Sequence, residues 1–311
     1  MIERVKLHDA IQYTLAEVSE RFELGGIQTV VIPTGFKYLD AALNGLRNSA
    51  LYVLGGRSGM GKTSLAYGIA LNIAKQLRRT LFFSFEMDAN LLALRALSAM
   101  SGVPGERIER GQMSKEELEK VRMVQAETKD LTFDIVSGKI TSEELTEYLQ
   151  KERVDVGLDF VVIDHVDLLA DNMRFGSYDR MSQIAVNLAL AARTTDLPIL
   201  ALAQLSRAVE QRENHVPILS DLRESGKLEE NAFAVLFTYR PHYYAMMFDG
   251  AEPVEVEKDA KIIIAKNRQG ELGQLTVDFF PAQMRWADRS TKVVIPSVGD
   301  GPLTRKVKEH G

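Results

Sequence analysis

Leu51-Tyr52-Val53-Leu54 is an apolar, β-prone run that enters the glycine-rich turn Gly55-Gly56-Arg57-Ser58-Gly59-Met60-Gly61. Lys62-Thr63-Ser64 leave the turn and lead into a helical pattern, Leu65-Ala66-Tyr67-Gly68-Ile69-Ala70. From Gly56 to Thr63 the residues fit G-x-x-x-x-G-K-[ST], a pattern that demands a strand before it and a helix after it. The chemistry explains the spacing. Glycines let successive backbone N–H groups converge on phosphate oxygens, which a Cβ would obstruct. The helix that follows turns its positive dipole end toward the same anion. Gly56, Ser58, Gly59, Met60, Gly61, Lys62, Thr63 and Ser64 are therefore the expected cradle of a nucleoside triphosphate. Lys62 is expected to reach the β- and γ-phosphates of ATP, and the Thr63 hydroxyl to ligate Mg²⁺. The plain alternative is an ordinary glycine-rich strand–helix turn.

The remaining pattern fits one class of fold. Thr80 to Phe85 is apolar and β-prone, and Leu91 to Met100 and Ser114 to Thr128 carry helical spacing. Leu131 to Val136 reads as a short strand, and Thr141-Ser142-Glu143-Glu144 as a helix start with acidic residues in its first turn. Phe160 to Ile163 and Pro198 to Ala203 are fully apolar, as strands buried on both faces of a parallel sheet must be. Between them Met181 to Thr194 is an Ala-rich helix, and Phe233 to Tyr239, Lys261 to Ala265 and Leu275 to Phe280 complete the strands. Alternating β and α elements predict an α/β fold with a mostly parallel central sheet.

Ahead of this domain, residues 3–24 form an amphipathic helix, with Val5, Ile11, Leu15, Val18 and Phe22 at helical intervals and Gly25-Gly26 as its stop. Its apolar stripe must be covered by its own domain or by a neighbouring subunit. The boundaries expected are 1–26 for this helix, 27–288 for the α/β domain and 289–311 for a solvated tail. His242 to Lys258 also reads as a mobile, polar connection. Cysteine is absent, which excludes disulfides and thiolate metal sites. No apolar run is long enough to span a membrane and no signal-peptide core opens the chain, so a cytosolic setting is expected. The net charge of −5 does not advertise a nucleic-acid binder. A ring can still be acidic outside and basic along its channel.

The apolar strands end in polar residues, and ligands bind at the carboxyl ends of strands in open α/β sheets. Asp164 ends the Phe160–Ile163 strand, the Walker B arrangement in which a carboxylate holds Mg²⁺ through water. Glu86 follows Thr80–Phe85 and suits the positioning and polarising of an attacking water. Gln204 ends Pro198–Ala203, where an amide can touch the γ-phosphate and report its loss. Each has a plainer reading: a loop cap for Asp164, a helix-start residue for Glu86, an unremarked polar residue for Gln204.

Taken together, several motifs resemble the motor domain of DnaB-type replicative helicases. They are Ile32-Pro33-Thr34-Gly35-Phe36 with Leu39-Asp40, the phosphate turn, Ser84-Phe85-Glu86-Met87, and Val162-Ile163-Asp164 with Leu168-Leu169. Ala203-Gln204-Leu205-Ser206-Arg207, Ser220-Asp221-Leu222-Arg223-Glu224-Ser225-Gly226 and Ala265-Lys266-Asn267-Arg268-Gln269-Gly270 add specificity, because generic P-loop ATPases lack them. The resemblance implies a RecA-like fold, a homo-hexameric ring, and ATP-driven unwinding of duplex DNA by translocation on single-stranded DNA. It implies that Arg223, Glu224 and Gly226 follow the DNA backbone from a channel loop. Lys266 and Arg268 are implied to enter the next subunit's ATP site, Arg268 as an arginine finger, and the helix at 3–24 to be a linker helix docking on a neighbour.

Two departures stand out. The family's N-terminal helical domain, used for collar formation and primase contact, has no counterpart in these residues, which leaves primase and helicase-loader binding open. His165 and Asp167 stand where an aromatic and an amide residue are expected after Asp164; His165 reads more readily as a packing residue than as a base. The rival functional reading is an ATP- and DNA-binding ring scaffold, or a RecA-like ATPase without strand separation.

Overall fold

The computed structural model describes residues 6–23, 31–171, 176–222 and 226–289. A helix, α1 (Leu7–Glu23), precedes a short antiparallel pair, β1 (Val31–Ile32) and β2 (Leu46–Arg47), with α2 (Lys37–Leu43) between its strands. The phosphate-turn unit follows as β3 (Leu51–Gly56) and α3 (Lys62–Ala74). Next come β4 (Thr80–Ser84), α4 (Ala89–Ser101), α5 (Gly105–Glu109), α6 (Lys115–Thr128), β5 (Phe133–Val136), α7 (Ser142–Asp155) and β6 (Phe160–Asp164). The rest is α8 (Ser177–Thr195), β7 (Ile199–Gln204), α9 (Gly226–Asn231), β8 (Ala234–Tyr239), α10 (Pro241–Tyr244), β9 (Glu257–Asn267), β10 (Gly273–Phe280) and β11 (Arg285–Asp288).

Nine strands make one sheet in the order β11-β10-β9-β8-β3-β7-β6-β4-β5. The six from β8 to β5 are parallel, while β9, β10 and β11 add on antiparallel. Side chains alternate across the pleat, so each strand feeds two cores. Tyr52, Leu54, Phe82, Val162 and Leu202 pack with Leu65, Ile69 and Ile73 of α3 on one face. Leu51, Val53, Phe83, Val161 and Ile163 pack with Leu145 of α7 and Leu188 of α8 on the other. Each such side chain, fully buried, contributes about 1.5–3 kcal/mol of apolar transfer. The acidic helix start is a reciprocal cap: Glu144 N–H donates to Thr141 Oγ1 at 3.2 Å, and Thr141 N–H to Glu144 Oε2 at 2.8 Å. Asp40 accepts from Thr34 N–H at 2.7 Å and Gly35 N–H at 3.1 Å, and Asn72 of α3 and Gln76 just beyond its end donate to the carbonyls of Thr34 and Pro33 respectively. The Thr34–Asp40 motif thus clamps the entry loop onto α3.

The RecA-like α/β expectation holds, with differences in detail. The β1–β2 pair and β11 were not anticipated, because two-residue strands and an edge strand with Arg and Asp leave little periodicity to read. His242 to Lys258 is not a mobile connection throughout: α10 and a π-helical turn at Ala245–Asp249 occupy its first half. Tyr244 is buried there and stacks on His215, with ring centroids 4.6 Å apart. Aromatic density was the signal the polar count hid. On α1 the stripe is open: Leu7 is 75% exposed and Phe22 85%, with Ile11, Leu15 and Val18 exposed between them. Gly25-Gly26 and the tail from 290 lie outside the described residues. Among the described residues, no helix is long and apolar enough to cross a membrane.

Candidate active site

The turn after β3 keeps the shape its glycines permit. Gly59 and Gly61 take φ of 79° and 78°, and a Cβ on Gly59 would collide with the Tyr243 hydroxyl. Met60 N–H donates to Arg57 O at 3.2 Å, which closes the loop, and Gly61 caps α3 with Trp286 Nε1 donating to its carbonyl at 3.0 Å. Above the turn lies a cleft of about 450 Å³, lined by Ser58, Lys62, Thr63, Ser64, Glu86 and Arg95 among others. Lys62, Thr63 and Ser64, the first residues of α3, line it, and a helix start offers N–H groups without intrahelical partners.

Lys62 is the first residue of α3, and its ammonium lies 3.4 Å from Arg57 O. Burial pulls its pKa below the ordinary lysine value, against the opposing pull of Asp164 and Glu86. Asp164 closes β6, which is separated from β3 by β7, so its carboxylate reaches the turn across one intervening strand. It is 1% exposed, and burial raises its pKa although the Thr63 hydroxyl hydrogen-bonds to it. Asp164 Oδ2 is buried with no partner. An anionic oxygen orphaned beside a threonine hydroxyl suits Mg²⁺, which takes one or two protein oxygens and fills its octahedron with water and phosphate.

Glu86 does not sit on β4 itself but two residues beyond its last residue, with its side chain 61% exposed at the cleft. His165 Nε2 is 3.9 Å from Glu86 Oε2, and His165 Nδ1 is 3.1 Å from Asp167 Oδ2. His165 therefore belongs to a polar chain rather than to packing. Gln204 is the last residue of β7; its side chain is exposed and its N–H donates to Asp167.

Two cationic residues at the cleft went unread in the sequence. Arg95, on α4, has a buried Nε with no partner, and burial lowers its pKa while Asp164 and Glu86 oppose the shift. Arg240, just past β8, hydrogen-bonds Gly59 O and pairs with Glu257. Lys62 is thus not the sole cation near the phosphate turn. Arg57 also lines the cleft, but it is tied to Glu210 at 2.7 Å and to Leu205 O.

Lys266 and Arg268 lie elsewhere. Arg268 N–H donates to Phe233 O at 3.0 Å, and Phe233 N–H to Leu51 O at 2.7 Å. Arg268 is therefore level with the first residue of β3, five residues before Gly56, or roughly 16 Å from the phosphate turn along the strand. Its guanidinium donates to Glu230 O at 2.8 Å, and the Lys266 ammonium to the carbonyls of Glu229 and Glu230, at the carboxyl end of α9. Burial, followed by the charge of Arg268, lowers the Lys266 pKa. Gly226 is the first residue of that same α9, while Arg223 and Glu224 lie outside the described residues.

Comparison with known proteins adds a family to this geometry. Residues 31–288 match the profile of the DnaB-like helicase C terminal domain. The chain belongs to the DnaB-like helicase C-terminal domain family. Among its relatives, the replicative DNA helicase DnaB of Geobacillus stearothermophilus is 32% identical over 252 residues, covering 80% of this chain and 54% of that protein. The DnaB of Helicobacter pylori strain J99 is 28% identical over 323 residues, 91% of this chain and 64% of that protein. The chain spans about half the length of the first of these curated relatives. A solved structure of an isolated ATPase domain superposes with a TM-score of 0.81 at 28% identity, covering 90% of this chain and 99% of that one. A DnaB-like replicative helicase, studied with its primase interactions, gives 0.80 at 28% identity, covering 93% of this chain and 68% of that one. The DnaB-like segment takes in every strand and every residue of the cleft named above and leaves α1 outside.

Proposed function

We propose that this DnaB-like domain hydrolyses ATP with Mg²⁺ and is the motor of a hexameric DNA helicase that moves on single-stranded DNA and unwinds duplex at replication forks. The observation that carries the reading is the separation within one chain. Lys62, Thr63, Asp164, Glu86 and Gln204 gather at one end of the sheet, while Lys266 and Arg268 stand exposed or half-buried at the other. Two halves of a phosphoryl-transfer site on opposite ends of one domain are complementary between copies. A ring of such domains places each chain's Arg268 against the next chain's phosphate turn.

In that arrangement Lys62 and the N–H groups from Gly59 to Ser64 bind the β- and γ-phosphates. Thr63 and Asp164 would hold Mg²⁺, which supplies charge neutralisation on the phosphates when bound. The Glu86 carboxylate orients a water for in-line attack and accepts its proton. Gln204 touches the γ-phosphate and reports its loss to β7. Arg268 of a neighbouring copy meets the charge that develops on the transferred group, with Lys266 beside it. Arg223, Glu224 and Gly226 would track DNA phosphates, and the open stripe of α1 would dock on a neighbouring copy. Primase and a helicase loader are the partners to look for, in a cytosolic setting. The test is a forked-duplex unwinding assay with ATP, run beside a mass measurement with and without nucleotide. Nucleotide-dependent hexamers that separate strands are expected; hexamers that hydrolyse ATP without unwinding would leave only the ATPase part of the proposal.

A further inference from the structure

His165 and Asp167, where this chain departs from the family pattern after Asp164, both lie just beyond the carboxyl end of β6. In the sheet, β7, β6 and β4 are adjacent in that order, and Gln204, His165 and Glu86 stand at or just beyond their carboxyl ends. Asp167 accepts from the Gln204 N–H and lies 3.1 Å from His165 Nδ1. The far side of the same ring, Nε2, lies 3.9 Å from Glu86 Oε2. His165 is 13% exposed on its side chain, whereas Glu86 is 61% exposed. Among the described residues, His165 is the one basic side chain in ion-pair contact with Glu86.

We infer that Asp167 and His165 are a positioning bridge that aims the Glu86 carboxylate and ties it to the tip of β7 at Gln204. The inference rests on the assignment of Glu86 as the water-orienting group. A glutamate this exposed has rotamer freedom to lose before it can hold a water in line. A ring only 13% exposed and gripped on one edge by a carboxylate has much less. Asp167, accepting only, holds the proton of Nδ1 and so sets the plane of the ring. The other nitrogen then presents a fixed polar edge to Glu86. Catalytic contacts of this kind often stand long without substrate and shorten in the productive complex. Since Asp167 is also held by the backbone of Gln204, a shift of β7 on loss of the γ-phosphate passes through Asp167 to the ring and on to Glu86. His165 and Asp167 touch neither substrate nor water in this account; they act through Glu86.

The experiment compares wild type, His165→Ala, His165→Gln and Asp167→Asn, each also in a Glu86→Gln background. It measures single-turnover hydrolysis and the affinity for a fluorescent ATP analogue. His165→Ala is expected to lower the hydrolysis rate about tenfold with affinity unchanged. His165→Gln, which keeps a polar edge near Nε2 and most of the volume, is expected to recover part of the rate. In the Glu86→Gln background His165→Ala is expected to cost nothing further, because the group it positions is already gone. Affinity falling in step with rate would overturn the bridge, since that is how a packing residue behaves. So would an equal fractional loss in both backgrounds, or a full wild-type rate in His165→Ala. A wild-type chain that hydrolyses no ATP would overturn the functional reading and the bridge together, whereas the preceding outcomes overturn the bridge alone.

Discussion

Arg240 and Glu257 form an ion pair sealed behind the phosphate turn, with side chains 8% and 2% exposed and Arg240 Nε 2.9 Å from Glu257 Oε2. The guanidinium also donates to Gly59 O and lies over the Phe279 ring at 4.1 Å. Its position is therefore set by Glu257, and it in turn sets the turn. Glu257→Ala strands a buried cation and is expected to cost about 3–5 kcal/mol of folding stability. Urea unfolding followed by circular dichroism measures it. A loss below about 1 kcal/mol would mean the pair is not sealed from water.

Gly59 offers a sharper probe of the same turn. Gly59→Ala places a Cβ at φ 79° and against the Tyr243 hydroxyl. Left-handed strain alone costs on the order of 1 kcal/mol, and the collision adds to it. ATP affinity is expected to fall at least about tenfold. Gly59→Ala with Tyr243→Phe should recover part of that loss by removing the hydroxyl. Calorimetric titration of the two variants decides it, and equal affinities would contradict the collision.

Much of this architecture is legible before folding, for local reasons. The strand–turn–helix around Lys62 is contiguous in sequence, and an apolar strand ending in Asp164 needs no partner to be read. Strand order is another matter. That β7 separates β3 from β6 depends on which connections cross the sheet, and no local pattern encodes it. Arg95 and Arg240 reach the cleft from α4 and from beyond β8, each without a motif of its own. The antiparallel turn of β9 carries Lys266 and Arg268 to the far end of the sheet, and only its register against β8 reveals that distance. Glu86 and Gln204 were readable as strand-end polar residues, but the Asp167–His165 chain between them was not, since it joins three strands through side chains.

Lys62→Ala and Glu86→Gln should separate binding from chemistry. In the proposed site Lys62 serves the bound phosphates, so its loss is expected to lower both affinity and turnover. Glu86→Gln keeps the shape of the side chain and removes the proton acceptor, so affinity should persist while kcat falls by about 10²–10⁴. Equal affinity losses in the two variants would remove Glu86 from its assigned role.

The open stripe of α1 leads to an assembly prediction. Leu7, Ile11, Leu15, Val18 and Phe22 are all exposed in the single chain. Removing residues 1–26 should weaken the ring while leaving ATP binding by the single domain intact. Analytical ultracentrifugation across a dilution series tests it. A shortened chain that stays hexameric at the lowest concentrations would show that the stripe holds no neighbour.

In the proposed ring, one active site is made by two chains. Arg268 stands level with Leu51, roughly 16 Å from its own phosphate turn, so it serves a neighbour's ATP or none. A guanidinium delivered in trans is worth on the order of 10³–10⁵ in rate in other NTPases. The direct measurement mixes Arg268→Ala with Lys62→Ala after confirmed subunit exchange and follows ATP hydrolysis. Each variant alone is expected to be nearly inactive, and mixed rings are expected to regain activity at interfaces that pair an intact Lys62 with an intact Arg268. Mixtures that stay as inactive as the separate variants would contradict a site shared between neighbours.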